Sequence, residues 1–159
     1  MFLRPLSAFL FCIHVSFAFP QDIDTIKNKI VFGINTLPYT VFKIGAVQNS
    51  KKNPVVLFLH GAGERGADNI TQTTVGLPAL MNTIIKTHQY PCLVVVPQCP
   101  KEDKWVNTEW TQSSHKMSTS MTPTLSGALN LLDSIVEYEN IDSSRIYVTG
   151  ISMGGFGTW

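Results

Sequence analysis

The 159-residue sequence predicts an α/β domain: a mainly parallel sheet flanked by helices, with an antiparallel pair of strands at its amino-terminal end. Three observations predict it. Apolar runs at 55–59 and 92–96 read as strands buried on both faces, and the β-branched stretch Arg145-Ile146-Tyr147-Val148-Thr149 reads as another strand. Segments with helical apolar spacing lie between them, at 77–87 and from Pro123 through Val136. Strands and helices in strict alternation are what crossover connections between parallel strands require.

Composition narrows the class. An apolar fraction of 44% against 14% charged residues suits a packed core and excludes a disordered chain. The length fits one domain or part of one. A net charge of +1 gives no electrostatic footprint for nucleic acid. Near the start, Arg4 precedes an apolar run over residues 6–19 broken only by Ser7, His14 and Ser16. That run is shorter than the ~20 residues of a membrane span. Ser16-Phe17-Ala18 then offers small residues where a signal peptidase reads, so residues 1–18 are expected to be a signal peptide cleaved after Ala18. An uncleaved anchor and a buried strand are the alternatives. On this reading the exported chain is residues 19–159, the amino-terminal portion of a single domain, with no membrane span.

In chain order, residues 29–34 and 39–44 read as an antiparallel pair with Asn35-Thr36-Leu37-Pro38 as the turn. A polar connector over 49–54 leads into the strand 55–59, which runs directly into His60-Gly61-Ala62-Gly63-Glu64-Arg65-Gly66. Leu77, Leu80, Met81, Ile84 and Ile85 then mark one helix face. After the strand 92–96, the polar stretch 97–121 around Trp105 and Trp110 reads as a long loop. Thr122 fits an N-cap with Pro123 in the first turn of the next helix, and Asp142-Ser143-Ser144 turns the chain into the last strand. Cys92 and Cys99 flank a strand; at ~3.3 Å per residue it holds them farther apart than the ~7 Å a disulfide tolerates.

Two constellations carry chemistry. Gly150-Ile151-Ser152-Met153-Gly154 follows a strand and opens a helix. A sharp corner there exposes a serine Oγ above the sheet, and flanking glycines prevent clashes. Acyl transfer also needs backbone N–H donors for the tetrahedral oxyanion, each contributing ~3–4 kcal/mol. Met153, next after the serine, supplies one. The loop His60-Gly61-Ala62-Gly63 fits the other, with Ala62 chosen over Gly63. The same glycines match no phosphate-cradling pattern.

"VVLFLHGAGERG", "LVVVPQCP" and "RIYVTGISMGGFGTW" together resemble the α/β-hydrolase fold, and within it the phospholipase/carboxylesterase and dienelactone-hydrolase-like group of secreted esterases or peptidases. The resemblance implies that Ser152 is the catalytic nucleophile, that Ala62 and Met153 form the oxyanion hole, and that His60 braces the oxyanion loop. It also implies a triad acid and histidine after Ser152. None is present up to Trp159, so the chain is expected to be an amino-terminal portion that is inactive as written. His88 reads as a cation closing a helix, and His115 is free to reach a cleft.

The expected function is a serine hydrolase of carboxylic esters, acting on a small-molecule or polymer-borne acyl ester, with no cofactor and no metal. A serine peptidase of the same fold and a truncated non-catalytic copy are the alternatives. Trp105 and Trp110 are either a platform for a sugar or aryl group or anchors of their loop. Glu64 and Arg65 are expected to hold the oxyanion loop by pairing and hydrogen bonds. Asn69-Ile70-Thr71 is a glycosylation acceptor pattern.

Overall fold

A computed structural model describes residues 23–32, 35–45, 47, 51–87, 90–116 and 118–159. The expected signal peptide, Cys12, His14 and His88 lie outside the described residues. Five strands form one sheet in the order β1-β2-β4-β3-β5: β1 (Ile23–Phe32), β2 (Asn35–Ile44), β3 (Asn53–Leu59), β4 (Cys92–Pro97) and β5 (Ile141–Gly150). β1 and β4 both pair with β2 antiparallel, whereas β3 pairs parallel with β4 and β5. This is the mixed sheet with an antiparallel amino-terminal edge that the sequence predicts.

The central strands divide their side chains between two cores. Val55, Leu57 and Leu59 of β3 join Leu93 and Val95 of β4 on one face, where α2 (Pro123–Tyr138) buries Ala128, Leu131 and Leu132. Phe58, Cys92, Val94 and Val96 face the opposite way, against Leu77 and Met81 of α1 (Leu77–Thr87). A strand covered on both faces by helices has no polar positions to alternate, which is why both strands read as unbroken apolar runs. Helix α2 starts as its residues dictate: the Thr122 hydroxyl accepts the Leu125 N–H at 3.1 Å, an N-cap of the kind that contributes ~1 kcal/mol. The same hydroxyl donates to the Trp105 carbonyl at 2.7 Å, tying the helix start to the long loop. Among the described residues no helix is long and apolar enough to cross a membrane.

Two expectations about strands need correction. Asn35-Thr36-Leu37-Pro38 is not the turn; all four residues belong to β2, with Phe32 opposite Asn35 and Lys29 opposite Pro38. Leu37 is fully buried, which a turn position would not allow. Pro38 is tolerated because it stands one residue past the last β2–β4 pair, Tyr39 with Pro97. Its carbonyl accepts the Gln98 N–H at 2.7 Å, and no further rung needs its missing donor. The second correction concerns β5. It is the outer strand, paired only with β3 among the described residues, and Ile146, Tyr147 and Val148 are exposed. The expected turn at Asp142-Ser143-Ser144 survives as an irregularity within β5, where the Asp142 carboxylate accepts the Ser144 N–H.

Candidate active site

β5 ends at Gly150 and α3 (Met153–Phe156) begins three residues later. Ser152 between them has φ 52° and ψ −120°, a left-handed backbone that a residue with a Cβ adopts only when its surroundings impose it. The surroundings are close. Ile151 N–H donates to the Leu59 carbonyl at 3.1 Å and Gly154 N–H to the Ile151 carbonyl at 2.8 Å. A Cβ on Gly154 would fall 1.9 Å from the Leu59 carbonyl oxygen, and one on Gly150 would fall 2.5 Å from the Gly154 carbonyl carbon. Both glycines of the motif are therefore required by backbone contact. Ser152 is exposed and Met153 is buried; Met153 is the first helical residue, so its N–H lies in the turn whose donors lack intrahelical partners.

The Gly-rich loop runs beside this corner. A Cβ on Gly61 would meet the Glu64 carboxylate at 2.9 Å and the Ser152 Cβ at 3.5 Å, so the backbone at Gly61 lies against the serine. Ala62 opens a 3-10 turn that ends at Glu64. Arg65 holds the turn: its Nε donates to the Ala62 carbonyl at 2.9 Å and its Nη1 to the Asp103 carbonyl at 3.1 Å. Glu64 does not pair with Arg65 as expected; its carboxylate lies over Gly61 instead.

His60 is fully buried and both ring nitrogens are engaged. Nε2 accepts the Cys99 N–H at 2.9 Å, so the ring proton sits on Nδ1, 2.7 Å from the Gly61 carbonyl. Trp105 Nε1 donates to the His60 carbonyl at 3.0 Å, and the two rings meet edge to face. Burial lowers the imidazole pKa to about 4, against a weaker upward pull from the Gly61 hydrogen bond. The unfolded chain thus takes up the proton near pH 6.5 while the folded chain does not. Stability is expected to be flat above about pH 6.5 and to fall by up to roughly 3 kcal/mol as pH drops toward about 4. Thermal melts between pH 7 and 5 test this: His60→Gln should flatten the slope, and a slope that survives places the titrating group elsewhere.

Other candidates separate cleanly. Trp105 is fully buried and offers no face to a ligand, so it is an anchor and not a platform. Trp110 is half-buried, 6.5 Å from the Phe156 ring, with Lys104 Nζ 5.7 Å from its centroid. The exposed His115 stacks edge-on against Phe156 at 4.8 Å. Cys92 and Cys99 are buried free thiols whose pKa values burial raises to about 11 and about 12. In the acceptor pattern, Asn69 Nδ2 donates to the Asn28 and Tyr39 carbonyls, so the nitrogen a glycan would occupy is already committed in the folded chain. Nothing local in the sequence singles out Gln98, which is fully buried behind the glycine loop; a lone amide has no periodicity to announce it.

The profile of the phospholipase/carboxylesterase family matches residues 43–157. Among solved structures, a thermostable esterase aligns with a TM-score of 0.71 and 34% identity, over 87% of this chain and 36% of that one. A ferulic acid esterase aligns with a TM-score of 0.61 at 17% identity, covering 86% and 53% of the two chains. A mutant feruloyl esterase module from Clostridium thermocellum, complexed with sinapinate, gives 0.58 at 18%, covering 89% and 49%. These last two share the fold. No curated protein matches the sequence significantly. The chain spans 36% of the length of the thermostable esterase. With the profile covering most of the sequence and the sheet order, serine corner and glycine loop in place, the chain belongs to the phospholipase/carboxylesterase family of ester hydrolases, of the α/β-hydrolase fold.

Proposed function

We propose that the protein hydrolyses carboxylic esters through an acyl-enzyme on Ser152, with the Ala62 and Met153 N–H groups as oxyanion donors. The observation that carries the reading is the strained, exposed serine at φ 52° with the Gly61 backbone against it. In the first step Oγ bonds to the acyl carbon while its proton passes to a general base. The carbonyl oxygen becomes an oxyanion facing the two donors. It then collapses, the ester C–O bond breaks, and the base returns the proton to the departing alcohol. Water repeats the sequence and frees the acid. His60 is spent on its own hydrogen bonds, and His115 packs on Phe156 with no hydrogen bond to Ser152 among the described residues, so the reading takes the base and its acid from outside residues 1–159. Trp110 is the ring we assign to the substrate side.

Esters are favoured over peptides because the relative at 34% identity is an esterase. The test is a panel of acyl esters and peptide amides offered to the full-length protein. Turnover confined to esters is expected, and comparable peptide cleavage would transfer the assignment to a peptidase. Ala62→Pro probes the loop donor. Gly61 is extended (φ −77°, ψ 178°) and Ala62 opens the 3-10 turn, so a proline ring fits there while removing the N–H. Turnover should fall on the order of a hundredfold; unchanged turnover in a folded variant would move the donor to Gly63.

A further inference from the structure

The backbone of the loop carrying Ala62 makes only a long hydrogen bond of its own. Within the 3-10 turn the Glu64 N–H reaches the Gly61 carbonyl at only 3.4 Å. Beside the Arg65 bonds to the Ala62 and Asp103 carbonyls, its support comes from the two residues that follow β4. The Cys99 N–H holds the His60 ring at 2.9 Å and the Cys99 carbonyl accepts the Gly66 N–H at 2.9 Å. Gln98 holds the rest. Its Nε2 donates to the Glu64 carbonyl at 3.3 Å and to the Asp68 carboxylate at 2.9 Å, and its Oε1 accepts the Asn69 N–H at 2.7 Å. Both amide protons and the amide oxygen are thus used, inside a fully buried side chain. The loop wraps it closely: a Cβ on Gly66 would fall 3.0 Å from Nε2. The main-chain N–H of Gln98 binds the Pro38 carbonyl at 2.7 Å, so the amide is fixed to β2 at the sheet's end.

We infer that Gln98 is a positioning residue for ester hydrolysis: it sets where the turn that begins at Ala62 stands relative to Ser152. The inference rests on the proposed roles of Ser152 and Ala62. Gln98 grips Glu64, the last residue of that turn, and Asp68 and Asn69 just beyond it. Asp68 in turn accepts the Ile70 and Thr71 N–H groups, and its carboxyl is held well below the usual range, chiefly by the Thr71 hydroxyl. Released from Gln98, the turn is free to shift, and an oxyanion donor displaced by a fraction of an ångström loses its advantage in the transition state while ground-state binding persists.

The test uses the full-length protein, with rates expressed per site titrated by a fluorophosphonate, so that misfolded material does not pass for slow enzyme. Gln98→Glu keeps the acceptor for Asn69 but turns the donors into a carboxylate facing Asp68. Its kcat is expected to fall about tenfold or more with KM changed less than about twofold. Gln98→Met, which buries no charge, should show the same split. Asn69→Gly retains the N–H that Gln98 accepts and relieves the positive φ at that position. It removes the Asn69 side-chain bonds, so it should lower Tm and leave kcat per site intact. Unchanged kcat in the Gln98 variants would overturn the inference. So would kcat losses that track Tm across all three, or failure of both Gln98 variants to fold, which would make the residue a determinant of the fold alone. Ser152→Ala, run alongside, separates the two ideas. If it keeps turnover, the serine reading fails; if it is dead while the Gln98 variants are normal, only the positioning role fails.

Discussion

Ser152→Ala is expected to abolish covalent labelling of the full-length protein by a fluorophosphonate and to lower ester turnover by about 10³-fold or more. Without the hydroxyl no acyl-enzyme forms, and what remains is the rate that bound substrate and oxyanion donors lend to water. The substitution is a clean one structurally. The Ser152 side chain makes no cap bond to α3, the residue is exposed, and alanine faces the same left-handed backbone that serine already occupies. The variant should therefore melt near the wild type, so that loss of activity reports chemistry and not unfolding. Labelling that persists, or appears at another serine, would remove Ser152 from the reaction and with it the proposed mechanism.

Gly154→Ala should be the most damaging single methyl in the serine corner. The added carbon would lie 1.9 Å from the Leu59 carbonyl oxygen and 2.8 Å from that of His60, whereas ordinary contacts begin beyond 3 Å. Both obstacles are main chain, so no rotamer change relieves them; β3 and the serine corner must part. Overpacking usually costs ~1–3 kcal/mol when side chains absorb it, and a backbone collision belongs to the exceptional class above ~4 kcal/mol. For a domain of this size that is a Tm loss of roughly 10 °C or more, or no soluble protein. Gly155→Ala is the control: its new carbon would meet nothing nearer than 3.9 Å, and the helix propensity gain favours it. Equal damage at both positions would mean that the helix start, and not the contact with Leu59, is what the glycine serves.

How far the sequence spoke depended on whether a feature was periodic, steric or long-range. The helix at 77–87 and the cap at Thr122 were legible because spacing and capping residues are local. So was the serine corner, because its glycines answer contacts that any copy of the turn must make. The hairpin was misread because proline outweighed the pattern: Leu37 is core and Pro38 sits where a ladder stops. Trp105 was legible only as either a platform or an anchor of its loop, and it fills the space under His60 and Gly157. Gln98 was silent, and Asn69 announced itself only as a glycosylation acceptor. Their meaning arises only when the exit of β4, the β1–β2 hairpin and the glycine loop meet in space.

The Leu59 carbonyl has a mechanical consequence. It binds Ile151 N–H, touches Gly154, and belongs to the residue that leads into His60 and the glycine loop. Serine corner and glycine loop thus spring from one fulcrum at the tip of β3. A rigid displacement of that tip is common to both and cancels in the distance between them. Only motion that differs between the two branches alters the spacing of Ser152 and the glycine loop.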